Sequence, residues 1–111
     1  MQYTILILLK ALPAWLAMSR EERNGFTEKT LVPIFEKYAE ALHISYHDSE
    51  AFHAEISDFM IIKTTDMKSY YFFIEELRDT PVFARPYFEL KDLIMGLEDG
   101  YKKFEAHENQ K

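Results

Sequence analysis

Leu42-His43-Ile44-Ser45-Tyr46-His47, LHISYH over residues 42–47, decides between two architectures. On a helix, His43 and His47 would lie one turn apart, a spacing suited to a shared metal ion. On a strand they share a face but stand roughly 13 Å apart at about 3.3 Å per residue, and metal–nitrogen bonds span only about 2 Å. Leu42, Ile44 and Tyr46 alternate with His43, Ser45 and His47, which is the period of a strand with one apolar and one polar face. The stretch therefore predicts a strand, and a His43–His47 metal pair falls with the helix.

Working outward, YTILILLKA over 3–11 is apolar on both faces, as in a strand covered on both sides. Leu12-Pro13 ends it, and Trp15 follows in a short connection. Ser19-Arg20-Glu21-Glu22 is a capping box. It opens a helix over about 20–41 whose apolar positions, among them Phe26, Leu31, Phe35 and Leu42, recur near a period of 3.6. Pro33 inside it predicts a kink or a split near residue 32. On the other side of LHISYH, residues 48 to 56 read as a loop or a turn capped by Asp48 or Ser49. SDFMIIKTT over 57–65 reads as a strand.

Asp66 caps a helix over 67–78 with an apolar stripe from Met67 to Leu77, and Thr80-Pro81 stops it. Phe83 and Arg85-Pro86 belong to an irregular connection. YFELKDLIM over 87–95 reads as a fourth strand. Gly96 and Gly100 flank a turn, YKKFEA reads as a last short helix, and residues from about 106 to 111 form a polar tail. The order strand, helix, strand, strand, helix, strand is the split βαβ pattern of the ferredoxin-like α+β fold. It predicts one domain, a four-stranded antiparallel sheet with helices on one face. Because the first and third strands are apolar on both sides, the second sheet face would stand apolar in water. Pairing two such faces about a two-fold axis would cover it, which predicts a homodimer.

The bulk numbers narrow the function classes. With 13 Lys and Arg against 19 Asp and Glu the net charge is −6, and the basic residues form no stripe, so neither nucleic acid nor an anionic membrane surface is an expected partner. No cysteine is present, which excludes disulfides, thiolate catalysis and thiolate metal sites. The apolar run near the N-terminus is cut by Lys10 and preceded by no cation. It resembles neither a signal peptide nor a span of about 20 apolar residues, and it predicts a cytoplasmic strand.

HISYHDSEAFH over 43–53 holds three of the four histidines. His47 beside Asp48 and Glu50 places a group that titrates near neutrality next to carboxylates, the candidate set for proton transfer. The alternative is an exposed edge strand kept soluble by polar residues. Glu50-Ala51-Phe52-His53 is half of a carboxylate-bridged di-iron site, but such a site needs a second pair and further glutamates from a four-helix bundle. No metal and no cofactor are expected, a single ion on His47, Asp48, Glu50 or His53 being the remaining alternative. Trp15 and Tyr71 are candidate walls of a ligand cleft, against the alternative that both are packing aromatics. Arg78 is a candidate anion holder, against the alternative that Glu75, Glu76 or Asp79 pairs with it. No phosphate-binding loop, nucleophile elbow or HExxH motif occurs.

YTILILLKALPAWLAMSREER, DSEAF with SDF, and YYFFIEELRDTPVF with PYFELKDLIMGLEDGY together resemble the darcynin family, small bacterial proteins carried as a domain of unknown function. The resemblance runs from residue 3 to about 105. It implies no established activity, and no functional residue is carried over from it. The topology is also similar to that of the dimeric α/β-barrel proteins, which include cofactor-free monooxygenases, isomerases, dehydratases and haem-handling enzymes. That likeness is one of architecture, and it implies a place for a ligand between sheet and helices. The residues thus point to a homodimer binding a small, partly apolar molecule, either as a cofactor-independent enzyme or as a non-enzymatic interaction module.

Overall fold

In the computed structural model, which describes residues 1–110, Tyr3–Ala11 forms β1. Its neighbours are β3, Asp58–Thr64, and β4, Phe88–Leu97, both antiparallel to it. The outer strand β2 is His43–Asp48, so LHISYH is a strand, and the sheet order is β2-β3-β1-β4. This is the ferredoxin-like arrangement, with antiparallel pairing throughout.

Register sorts the side chains by face. Ile5, Ile7 and Leu9 pair with Ile62, Met60 and Asp58 in β3, and Ile44 and Tyr46 of β2 pair with Ile62 and Met60. These apolar side chains face the helices, and Ile5, Ile7 and Ile62 are fully buried there. The opposite face carries Leu6, Leu8, Phe59 and Ile61, with His43, Ser45 and His47 of β2 beside them. Among the described residues no helix covers it, and its apolar side chains are only partly buried.

Between β1 and β4 the register shifts at Leu8/Leu9: Leu8 pairs with Asp92 but Leu9 with Leu90, leaving Lys91 as an extra residue. Such a bulge restores the alternation one residue late. Leu90 and Leu93, three apart, therefore both face the helices, which an unbroken strand forbids.

The first helical segment has three parts. Pro13–Leu16 is a short helix, α1, where a bare connection was expected. Arg20–Phe26 is α2, and both hydrogen bonds of the Ser19–Glu22 capping box are present, at 3.1 and 2.9 Å. A π-helical turn, Thr27–Leu31, leads into α3, Val32–Lys37. Pro33 lies at the start of α3, and the Val32 N–H reaches back five residues to the Thr27 carbonyl. The expected kink is thus a local change of helical register. The helix also ends near Lys37 instead of residue 41, because Tyr38 leaves helical geometry and docks its ring on Phe73 with centroids 5.9 Å apart.

Met67–Arg78 is α4, capped by Asp66, and Pro81–Ala84 is a short helix, α5, capped by Thr80 in place of the irregular connection. Tyr70, Phe73 and Leu77 of α4 complete the core over β1 and β3. Gly100–Asn109 forms α6, longer than the YKKFEA segment and continuous through the polar end to residue 109. Its Tyr101 and Phe104 are exposed. Among the described residues no helix is long and apolar enough to cross a membrane.

Candidate functional site

A cavity of about 440 Å³ lies between the helix-facing side of the sheet and the α4–α5 pair. Ile7, Met60 and Leu93 form its floor, Ile74, Leu77 and Phe83 its roof, and Leu90, Ala84 and Arg78 complete the lining. Its volume falls in the range of small-molecule sites, about 300–1,000 Å³. The rim along β4 is open, since Leu90 and Leu93 are 47% and 40% exposed. The two leucines reach the cavity only through the Lys91 bulge. Their three-residue spacing inside a strand was the available sequence signal, because it breaks the two-residue period.

Among the described residues Arg78 is the one charged group in the lining. It sits in the last turn of α4, where positive charge complements the helix dipole. The carboxylates expected to pair with it do otherwise. Glu76 takes the Lys37 ammonium at 3.0 Å and accepts the Tyr38 hydroxyl. The Tyr38 hydrogen bond, followed by that from Lys37, holds its carboxyl below the ordinary range. Glu75 and Asp79 form no ion pair with Arg78.

The other candidates stand elsewhere. Trp15, expected as a wall, plugs an aromatic cluster at the start of the helices, with ring centroids 5.8 Å from Phe26, 5.5 Å from Tyr87 and 5.2 Å from Phe88. Arg23 fixes that end by donating to the Trp15 and Leu16 carbonyls. Tyr71 is exposed on the outer side of α4, one position past the buried Tyr70. Neither residue lines the cavity.

His47 points to the uncovered sheet face, opposite the cavity. It stacks on Phe59 with centroids 4.7 Å apart and meets Ser45 Oγ at 3.0 Å. Asp48 and Glu50 are exposed beyond it, and no hydrogen bond joins them to the imidazole. His53 closes its own turn: its Nδ1 accepts the N–H groups of Glu55 and Ile56 at 3.0 and 2.9 Å. Among the described residues no three His, Cys, Asp or Glu side chains gather where they could hold a metal ion.

A polar pair that the sequence did not single out sits at the β2–β3 edge. The Tyr46 hydroxyl donates to Asp58 Oδ2 at 2.8 Å. Burial pushes the Asp58 carboxyl up, reinforced by the charges of Asp48 and Glu50 and opposed by hydrogen bonds from Ser57 and Tyr46. The Tyr46 phenol is also pushed up, by burial of its hydroxyl and by the Asp58 charge. With 45% of Tyr46 exposed, the burial part is weak and the neighbouring charge is the firmer cause.

Residues 1–110 match the family model described as darcynin, domain of unknown function. The chain belongs to the darcynin family. It is 40% identical over 91 residues to Darcynin 1 of Acinetobacter baumannii, covering 82% of this chain and all of that one. It is 35% identical over 101 residues to a darcynin homolog of Streptomyces avermitilis, covering 90% of this chain and 82% of that one. Among solved structures, this darcynin is similar to a protein of Thermus thermophilus described as a novel heme-binding protein, with TM-score 0.78, 15% identity and 94% of this chain covered. It is also similar to a mutant chlorite dismutase from Candidatus Nitrospira defluvii, with TM-score 0.74, 9% identity and 88% covered. The darcynin chain spans 44% and 40% of those two structures. At such identities the likeness is one of fold.

Proposed function

We propose that this darcynin binds a small, partly apolar molecule in the sheet–helix cleft and does so as a homodimer. The observation that carries the reading is the cavity of about 440 Å³, walled by eight apolar residues and one arginine. An apolar pocket of that volume with one charged group at it has the usual make-up of a small-molecule site. The dimer rests on the uncovered sheet face. Leu6, Leu8, Phe59 and Ile61, with Ile94 of β4 paired to Leu6, present one apolar patch that a second copy can cover by a two-fold contact.

The residues do not fit a haem ligated in the usual ways, whatever the Thermus protein binds. Haem iron takes His, Cys, Tyr or a Met paired with His. Among the described residues no His, Cys or Tyr lines this cavity, and Met60 is its one soft donor. His43 and His47 lie on the opposite sheet face, His53 in its turn and His107 on α6. His47 lies on the opposite face, and Asp48 and Glu50, exposed at and past the end of β2, are absent from the cavity lining, so the reading is one of binding.

A second reading has its own observation. Tyr101 and Phe104 stand exposed one helical turn apart on α6, as on a helix that docks against another protein, and they favour a non-enzymatic interaction module. Native mass spectrometry of untagged protein separates the readings. A dimer carrying a reproducible extra organic mass is the expected result. A dimer that carries none and takes up no added apolar probe refutes the cleft reading and favours the module, and a monomer refutes the dimer.

A further inference from the structure

The chemical class of the cleft ligand follows from the contrast between its lining and its one ionic group. Eight of the nine lining residues are apolar, so the body of the ligand is apolar. At about 30 Å³ for each water-sized group, a volume of about 440 Å³ holds on the order of a dozen non-hydrogen atoms. Arg78 lines the cavity with Ile74 one turn before it on the same helix face, within reach of a group at the edge of the apolar space.

Three carboxylates lie within three residues of Arg78, yet none neutralises it. Glu76 is drawn to Tyr38 and Lys37 across the α3–α4 contact. The guanidinium makes no ion pair or hydrogen bond among the described residues. Its planar fork matches a carboxylate, which it can hold with two parallel hydrogen bonds. A dianion such as a phosphate monoester suits the site less. One arginine offsets only one charge, Glu75 and Asp79 lie close in sequence, and the chain carries a net charge of −6.

Resting on the cleft reading, we infer that the ligand is an amphipathic monocarboxylate, with its chain or ring between the sheet and α4 and its acid group on Arg78. Leu90 and Leu93, brought to one face by the bulge, cover the outer side of that chain. The acid group stays at the solvent edge, where the guanidinium is exposed.

The test uses octanoate and 1-octanol, which share a chain and differ in the charged head. Both are titrated by calorimetry at low ionic strength, where screening of an exposed pair is least, into the full chain and its R78Q, R78K and L93W variants. Octanoate is expected to bind the wild type about tenfold or more tighter than octanol, the advantage of a charge-assisted bond. R78Q is expected to remove that advantage and leave octanol unchanged, while R78K restores part of it. L93W, which fills the cavity from a half-exposed position, is expected to remove both ligands. Equal affinities for the two probes, or an octanoate affinity indifferent to R78Q, would overturn the carboxylate inference and leave the cleft reading in place. Failure of both probes to bind the wild type, or their unchanged binding to L93W, would overturn both.

Discussion

Phe72 and Phe73 are adjacent, chemically identical and both on α4, yet truncating them should have very different effects. Phe73 is 0% exposed and packs its ring against Phe35 at 5.5 Å and Tyr38 at 5.9 Å. Phe72 is 47% exposed, with Tyr71 at 6.4 Å and the Lys68 ammonium at 5.6 Å from its ring. Phe→Ala in a closed core costs about 3–5 kcal/mol. Two aromatic neighbours, each adding about 0.5–1.5 kcal/mol beyond area, place Phe73→Ala near ~4 kcal/mol. Phe72 loses at most half of the ~1.5–3 kcal/mol for full burial, and alanine's better helix propensity returns a few tenths, so the net is about 0.5 kcal/mol. A domain of this size has about 5–15 kcal/mol in all. Urea denaturation followed by far-UV circular dichroism, at one fixed protein concentration because dimerisation adds to apparent stability, reads the difference. With a slope of about 1–3 kcal/mol/M, the midpoint should fall by about 2 M for Phe73→Ala and by under ~0.5 M for Phe72→Ala. Equal shifts, or less than ~1 kcal/mol at Phe73, would refute the placement of α4 over the sheet.

Two aspartates should titrate in opposite senses. Hydrogen bonds from Ser69 to the Asp66 cap hold its carboxyl below the ordinary range, so its contribution is present above that range and lost as acid takes pH through its folded value. Asp58 is raised, so its contribution is present in acid and lost as pH rises through its folded value. Carbon-13 carboxyl titrations should show the two displacements, and Asp66→Ala should cost more stability at neutral pH than in acid, with Asp58→Asn the reverse. Ser19→Ala, which removes the capping hydroxyl, should cost about 1 kcal/mol and lower Tm by a few degrees, whereas Ser19→Thr should retain most of it. Ile94→Glu, on the uncovered sheet face, should shift size-exclusion and light-scattering mass from dimer to monomer, and an unchanged dimer would place the interface elsewhere.

Much of the architecture was legible because its signals are local. Alternation in LHISYH made β2 a strand, and that one assignment fixed the order of elements and dissolved the His43–His47 pair. Ser19 with Glu22, Asp66, and Thr80-Pro81 act through hydrogen bonds that span at most three residues, so they read directly as caps and stops. The Pro33 irregularity was visible as an interruption, but not its form, since a π-turn and a kink both accommodate the lack of a proline N–H. The helix end at Lys37 was hidden because it is set by Tyr38 docking on Phe73, a contact between distant parts of the chain.

The site was much less legible. Composition and period established by themselves an acidic, cysteine-free chain with a ferredoxin-like order of elements and a strand through its histidine-rich segment. Which apolar residues close the core and which line a cavity was decided only in three dimensions. Strand register sent His47 away from the cleft, and a single extra residue at Lys91 turned Leu90 and Leu93 into it. Lys37 and Tyr38, some 40 residues earlier in the chain, took Glu76 and left Arg78 without an ion pair among the described residues. A face, a rim and an unpaired charge are relations between separate elements, and no periodicity within one element carries them.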